Sequence, residues 1–179
     1  MYRSLQGRLL VATPTLGDPN FARSVVLVAE HGPDGAMGLI LNRPLGVTVR
    51  EAVPILGEFV ADGEAVHQGG PVQPEAVMAL GDFVDGARAA AIAFGTVGFL
   101  PSDADETLDP ATVVRARVFA GYAGWGPGQL EAELDEGSWL FADIDHRVVL
   151  ETPRGGRYEA ALALLGLSPE LLFMRPIDA

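Results

Sequence analysis

Phe119-Ala120-Gly121-Tyr122-Ala123-Gly124-Trp125-Gly126-Pro127-Gly128-Gln129-Leu130-Glu131 is the stretch on which the reading of this chain turns. Four glycines and one proline surround a tyrosine and a tryptophan, and the run leads straight into a helical pattern. Glycine is used this densely where the backbone must take positive φ or come very close to another group. Upstream, Val113 to Ala120 reads as a strand that delivers the segment. Downstream, Gln129 to Glu136 reads as a helix, with Leu130 and Leu134 on one face and Gly137 as its C-terminal cap.

Working outward, strands dominate. Arg8 to Ala12 is a short apolar run that stops at the loop Thr13-Pro14-Thr15-Leu16-Gly17-Asp18-Pro19. Ser24 to Glu30 and Ala36 to Leu41 are apolar on both faces, so they read as covered strands paired through the turn His31-Gly32-Pro33-Asp34-Gly35. Thr48 and Glu51 have capping-box spacing, with Pro54 limiting any helix that follows. Ala65 to Gln68 reads as a strand entering the turn Gly69-Gly70-Pro71. Ala76 to Leu80, Ala90 to Phe94 and Val97 to Leu100 are further strands, and Asp103 to Pro110 is acidic loop. Ser138 to Ile144 and Arg147 to Glu151 look extended. Arg157 to Leu165 is an amphipathic helix, with Tyr158, Ala161, Leu162 and Leu165 on one side, and Ser168-Pro169 opens a last one. Helices fall between or after strands without strict alternation. The expected class is therefore α+β, one domain over 1–179 with a large, mainly antiparallel or mixed sheet and a few flanking helices.

Composition narrows the chemistry. The 179 residues carry 24 acidic side chains against 12 basic ones, a formal charge of -12, and every basic residue is arginine. Such acidity opposes non-specific DNA binding, which depends on cations displacing counterions from phosphates. The absence of cysteine removes disulfides and thiolate ligands, and His31, His67 and His146 stand at no metal-binding spacing. No tightly bound transition metal and no cofactor are expected, while carboxylate-only sites for Mg²⁺ or Ca²⁺ stay open. No signal-like core opens the chain and no apolar run has membrane-spanning length, so a cytoplasmic protein is expected.

Candidate site residues fall in three segments. In Asp18-Pro19-Asn20-Phe21-Ala22-Arg23-Ser24, Arg23 could clamp a carboxylate or phosphate with Asp18 orienting it. The structural alternative has Asp18 capping a turn, Phe21 plugging the core and Arg23 pairing locally. His67 stands beside Gly69 and Gly70, a turn whose amides could face an anion, although Gly-Gly-Pro is first a tight turn. In the central segment, Gly128, Gln129 and Glu131 open a helix, and Tyr122 and Trp125 could wall a pocket or anchor a partner. Close packing on the sheet would equally explain the glycines and rings. The spacing argues against a hydrolase triad from Asp18, Ser24 and His31. Ser24 has no glycine elbow around it, and it lies at the far end of a strand from His31, about 20 Å away at ~3.3 Å per residue.

Together these segments carry a resemblance. Gly7 to Pro14, Asp18 to Val26, Glu30-His31 and Gly35 to Pro44, then Gln68-Gly69-Gly70-Pro71-Val72, then Gly121 to Glu131, are similar in type and order to the AlgH/YqgE family of bacterial proteins. The similarity covers nearly the whole chain and is weakest from Phe83 to Pro110. It implies an α+β domain on a large sheet and no particular reaction. A transcriptional-regulator label attaches to some family members, but the sequence has no helix-turn-helix pattern, so any regulatory role would be indirect.

Two functional classes follow. One is a non-enzymatic binding or adaptor protein recognising a protein or a small anionic ligand. The other is an enzyme acting on a small anionic substrate, with Arg23 as clamp and His31 or His67 as acid-base group. Direct nucleic-acid binding is disfavoured by charge. Random duplex DNA at physiological salt should therefore show no sub-micromolar binding in a mobility-shift titration, since even basic proteins bind non-specifically at about 10⁻⁴–10⁻⁶ M.

Overall fold

Apolar, β-branched runs form strands where both faces find cover. The computed structural model describes residues 4–143, 149–150 and 157–165. β1 (Leu9–Ala12) is buried along its whole length and pairs antiparallel with β2 (Val25–Gly32). β2 turns through Pro33-Asp34 into β3 (Gly35–Ile40), the expected hairpin. β4 (Pro44–Thr48), a strand the sequence did not announce, leads into one helical turn, α1 (Val49–Ala52). There the Thr48 hydroxyl accepts from the Glu51 amide and the Glu51 carboxylate accepts from the Thr48 amide, both at 3.2 Å, completing the capping box. β5 (Ala65–Gln68), β6 (Val72–Phe83), β7 (Ala91–Phe94) and β8 (Val97–Phe99) follow. The acidic segment expected as loop contains a single turn, α2 (Ala104–Thr107). β9 (Val113–Trp125), α3 (Gln129–Asp135), β10 (Trp139–Ala142) and α4 (Arg157–Leu164) complete the described elements.

The fold is α+β. Ten strands make one sheet in the order β10-β1-β2-β3-β9-β6-β8-β7, with β5 beside β9 and β4 beside β5. Its described pairings are antiparallel except β5 with β9. Side chains alternate between faces along each strand, and this sorts the core into three clusters. Leu9, Val11, Leu27, Leu39, Leu80 and Phe119 point into a central cluster, closed by Tyr158, Ala161 and Leu162 of α4. On the other face, Leu10, Val26, Ile40 and Ala123 pack with Trp125, Trp139 and Leu130. Val66, Ala79, Phe83, Ala116 and Val118 form the third cluster, beneath Val49 and Phe59.

β9 reaches all three clusters, because it runs five residues further than its apolar pattern suggested. The glycine-rich segment is strand through Trp125, where the sequence reading ended the strand at Ala120. The reason is a bulge. Between Val72 opposite Tyr122 and Val77 opposite Ala120, β6 carries four unpaired residues, and Gly121 takes φ 77°. Phe119 and Tyr122 consequently both face the central cluster, which strict alternation forbids, and Trp125 is turned to the opposite face. At the bulge a Cβ on Gly121 would collide with the Gly70 carbonyl, and one on Gly70 with the Tyr122 backbone. The two turns are pressed backbone to backbone.

Val149 and Leu150 are buried but join no strand among the described residues. The remainder of the strand expected at 147–151, His146 and the helix expected from Ser168-Pro169 lie outside the described residues. Gly121→Ala should cost more than about 2 kcal/mol in a denaturant melt, combining a left-handed backbone with a backbone collision. Gly124→Ala should be neutral or stabilise by up to ~1 kcal/mol, because a methyl there meets nothing nearer than 3.8 Å. Equal losses in the two variants would contradict the bulge as the reason for glycine.

Candidate functional site

The first segment is a clasped loop. Asp18 accepts from the Asn20 amide at 2.9 Å and caps the turn Pro19–Phe21. Phe21 stacks on Trp125 at 6.3 Å and meets Trp139 edge-on at 5.7 Å. Arg23 is exposed and holds φ 54°, uncommon for a side chain of its size. Asn42 and Arg43 fasten the loop from β3's end. The Asn42 carboxamide accepts from the Val25 amide at 3.0 Å and donates to the Arg23 carbonyl at 2.9 Å. Arg43 donates to the carbonyls of Asn20 at 3.2 Å and Ala22 at 2.6 Å. Arg43 thus spends its fork on the chain's own backbone.

The second segment is interior. His67 is buried, with Nδ1 3.2 Å from the Ala65 carbonyl and its ring 5.8 Å from Phe119. Gly69 donates its amide to the Ala120 carbonyl at 2.9 Å and accepts from the Ile40 amide at 2.8 Å. Gly70 is buried against β9. The Gly69 amide is therefore spent on the sheet and is not available to an anion.

In the third segment the rings are structural in placement. Trp125 is 6% exposed and Tyr122 half-buried against the central cluster. The indoles of Trp125 and Trp139 both donate to one oxygen of Glu133, at 3.0 and 2.9 Å. Gly128 enters α3 at φ 74°, and Gln129 closes the helix start by accepting from the Gly126 amide at 3.0 Å. Glu131 reaches the His31 Nε2 at 3.0 Å. On the other edge of that ring, Nδ1 accepts from the Leu5 amide at 2.8 Å. An amide pointing at Nδ1 leaves the proton on Nε2, so His31 donates to Glu131 as a neutral ring. Hydrogen bonds from its own backbone and from His31 hold the Glu131 carboxyl below its ordinary range.

The structure brings Phe21 to Trp125 on one face of the β2–β3 hairpin and, through His31, Glu131 to its tip. It places Arg23 elsewhere. The Arg23 charge acts on Tyr158, whose phenol is pushed up by burial and donates to the Ala12 carbonyl at 2.8 Å on the central-cluster side. Trp125 packs on the other face. The three segments meet through stacked rings at Phe21 and Trp125 and stacked backbone at Gly70 and Gly121, and not around one hollow.

A hollow exists beside them, and of the candidate residues His31 and Trp125 line it. A cleft of about 1080 Å³ opens between the hairpin tip and the β6–β8 half of the sheet. Met37, Met78 and Phe99 form its floor, Ile55, Val77 and Ile92 its apolar walls, and Glu30, His31 and Asp34 its rim. Ile55, Val77 and Ile92 are exposed, at 58%, 44% and 39%. Sequence reasoning passed over these three because they come from three separate segments, and isolated surface apolar residues are ordinary. It also passed over Arg117, a buried arginine on β9. Its Nε donates to the Leu150 carbonyl at 2.9 Å, and Glu64 stands 3.8 Å from its Nη1. Burial pushes this guanidinium below its ordinary value, with the Glu64 charge acting against that. Among the described residues no cluster of His, Asp and Glu is placed to hold a metal ion, and no helix is long and apolar enough to cross a membrane.

Residues 9–170 match the family model described as AlgH-like, a domain of unknown function. The chain belongs to the AlgH-like family. It is 40% identical to a UPF0301 protein of Ruegeria pomeroyi over 94% of this chain and 95% of that one. A UPF0301 protein of Streptomyces coelicolor is 42% identical over 79% of this chain and 77% of its own length. Among solved structures, the AlgH protein of Pseudomonas aeruginosa is 30% identical, with a TM-score of 0.73 and complete mutual coverage. A Corynebacterium diphtheriae protein superposes at TM-score 0.83, with 26% identity over 99% of this chain and 94% of that one.

In this AlgH-like chain the Trp125–Glu133–Trp139 arrangement should be structural. Trp125→Ala should cost about 3–5 kcal/mol. Glu133→Ala should cost about 1–3 kcal/mol for each indole left without an acceptor. Exposed Glu136→Ala, which bonds to none of the three side chains, should stay within about 0.5 kcal/mol of the parent. Denaturant melts followed by tryptophan fluorescence check all three. Parent-like stability of both Trp125→Ala and Glu133→Ala would contradict the assignment.

Proposed function

We propose that this AlgH-like protein is a non-enzymatic binding or adaptor protein, that its partner is a protein, and that the partner seats in the cleft beneath the β2–β3 hairpin tip. The observation that carries this reading is the cleft. At about 1080 Å³ it stands at the upper end of the range of small-molecule clefts, and its walls expose three large aliphatic side chains. A soluble chain leaves such side chains together at a surface where something else covers them.

The other two candidates find less support. A small anion would meet Glu30 and Asp34 at the rim, and no arginine is among the lining residues. An enzyme pairing Arg23 with His31 would have to span β2 from before its first residue to its next-to-last one, about 25 Å at ~3.3 Å per residue. Pairing Arg23 with His67 would need a buried ring to reach an exposed side chain. His31 itself has both ring nitrogens engaged. A regulatory role would then be exercised through the protein held in the cleft.

A photo-crosslinking residue at Ile92, introduced in the native bacterium, should give discrete higher-mass adducts. The same residue at exposed Val114, outside the cleft, should give none. Adducts at neither position, or equal adducts at both, would remove the support for the cleft as the contact surface.

A further inference from the structure

The cleft has a charge pattern and a closed sheet edge, and the two together specify its occupant. Its charged lining residues, Glu30 and Asp34, are both acidic and exposed. The chain as a whole carries -12. A partner arriving here is steered by basic charge. Below the rim the surface is apolar, and the floor contains two methionines, whose unbranched side chains adapt to varied shapes.

An extended peptide would have to add to the edge strand β7. That edge is already covered. Gln6 donates its carboxamide to the Ile92 carbonyl at 3.3 Å, and Gly7 lies so close to β7 that a Cβ on it would be 3.2 Å from the Ala93 carbonyl. An occupant must therefore bring its backbone hydrogen bonds with it, as a helix does. On these grounds, and resting on the reading of the cleft as a protein-binding surface, we propose that the occupant is an amphipathic helical segment of a partner protein. Its apolar face enters between Ile55 and Ile92, and its flanking lysines or arginines meet Glu30 and Asp34.

The test uses the full chain and two synthetic 18-residue peptides. One carries leucine at helical i, i+3, i+4, i+7 spacing with lysine elsewhere, and its companion replaces each lysine by glutamate. Calorimetric titration at physiological salt should show binding of the lysine peptide and at least tenfold weaker binding of the glutamate peptide. Ile55→Ser/Ile92→Ser, which removes apolar wall without changing charge, should weaken the lysine peptide at least tenfold. Glu30→Gln/Asp34→Asn should weaken it at least fivefold. Glu106→Gln/Glu136→Gln, removing the same charge from exposed positions outside the cleft, should leave it within twofold. Thermal melts of each variant confirm that the fold is retained.

Equal weakening by the rim pair and the remote pair would mean attraction to net charge alone and would overturn the proposal. So would equal binding of the two peptides, or binding of neither. A concentration-dependent dimer that forms without peptide and dissolves in Ile55→Ser/Ile92→Ser would assign the cleft to a second copy of the chain, and would also overturn it. Crosslinked adducts at Ile92 together with failed peptide binding would sink the basic helix alone. Absence of those adducts would sink the reading beneath it.

Discussion

Gly70 and Gly121 are pressed together with no room for a side chain on either, and the architecture follows from that contact. The Gly69-Gly70 turn hydrogen-bonds to β3 through Ile40 and to β9 through Ala120. It fills the place where β3 and β9 part company, since β3 pairs with β9 only from Ala36 to Gly38. Past that point β5 occupies the neighbouring position, in parallel. One strand can serve two neighbours in this way only if its backbone changes direction between them, and Gly121 supplies the change. A methyl group at either glycine would separate the two halves of the sheet.

The same bulge decides what becomes of the aromatic rings. Without it, Trp125 would share a face with Phe119 in the central cluster. With it, Trp125 meets Phe21 and Trp139 on the outer face, where Glu133 accepts from both indoles. A buried indole needs one acceptor, and a carboxylate oxygen can serve two donors. Helix α3 is thereby tied to the end of β9 by side chains as well as by its short connection. The His31–Glu131 contact ties the same helix to β2, and the Leu5 amide on the far edge of the His31 ring extends the tie to the first described residues. Two carboxylates of one helix thus hold Trp125 of β9, Trp139 of β10 and His31 near the end of β2.

Local chemistry in this chain was legible from sequence wherever it was local in space. The Thr48–Glu51 capping box, the Pro33-Asp34 hairpin, β5 and the buried face of α4 depend on residues a few positions apart, and each could be read directly. The continuation of β9 through Gly121 to Trp125 could not, because glycine and proline there resemble a loop until β6 is known to bulge opposite them. The capture of loop 18–24 by Asn42 and Arg43 was hidden for a similar reason. Those side chains act on backbone carbonyls across the hairpin, and backbone acceptors leave no mark in a sequence. Of the candidate site residues, His67, Gly69, Gly70 and Trp125 drew attention through constraint, and the constraint is one of packing. The cleft is edged by two residues the sequence did single out, His31 and Trp125, but the aliphatic residues that make most of its walls come from separate segments and leave no motif.

Why the cleft stays open is a question about the three clusters. Its floor residues Met37, Met78 and Phe99 belong to the margin of the central cluster, Val53 and Leu56 to that of the third, and Ala36 to that of the outer one. It lies where the three cores meet and none of them closes. Collapse would bury Ile55, Val77 and Ile92, each worth about 1.5–3 kcal/mol if fully covered. The walls do not move together because each is anchored by its own element. The hairpin tip is held by His31 through Leu5 and Glu131, while the opposite wall is held by β6 on β9 and by the Pro54–Phe59 turn against the third cluster. Closing the gap would break one of these sets of bonds to gain apolar contact. The proposed occupant, bringing its own apolar face, would capture the same contact and leave every bond intact.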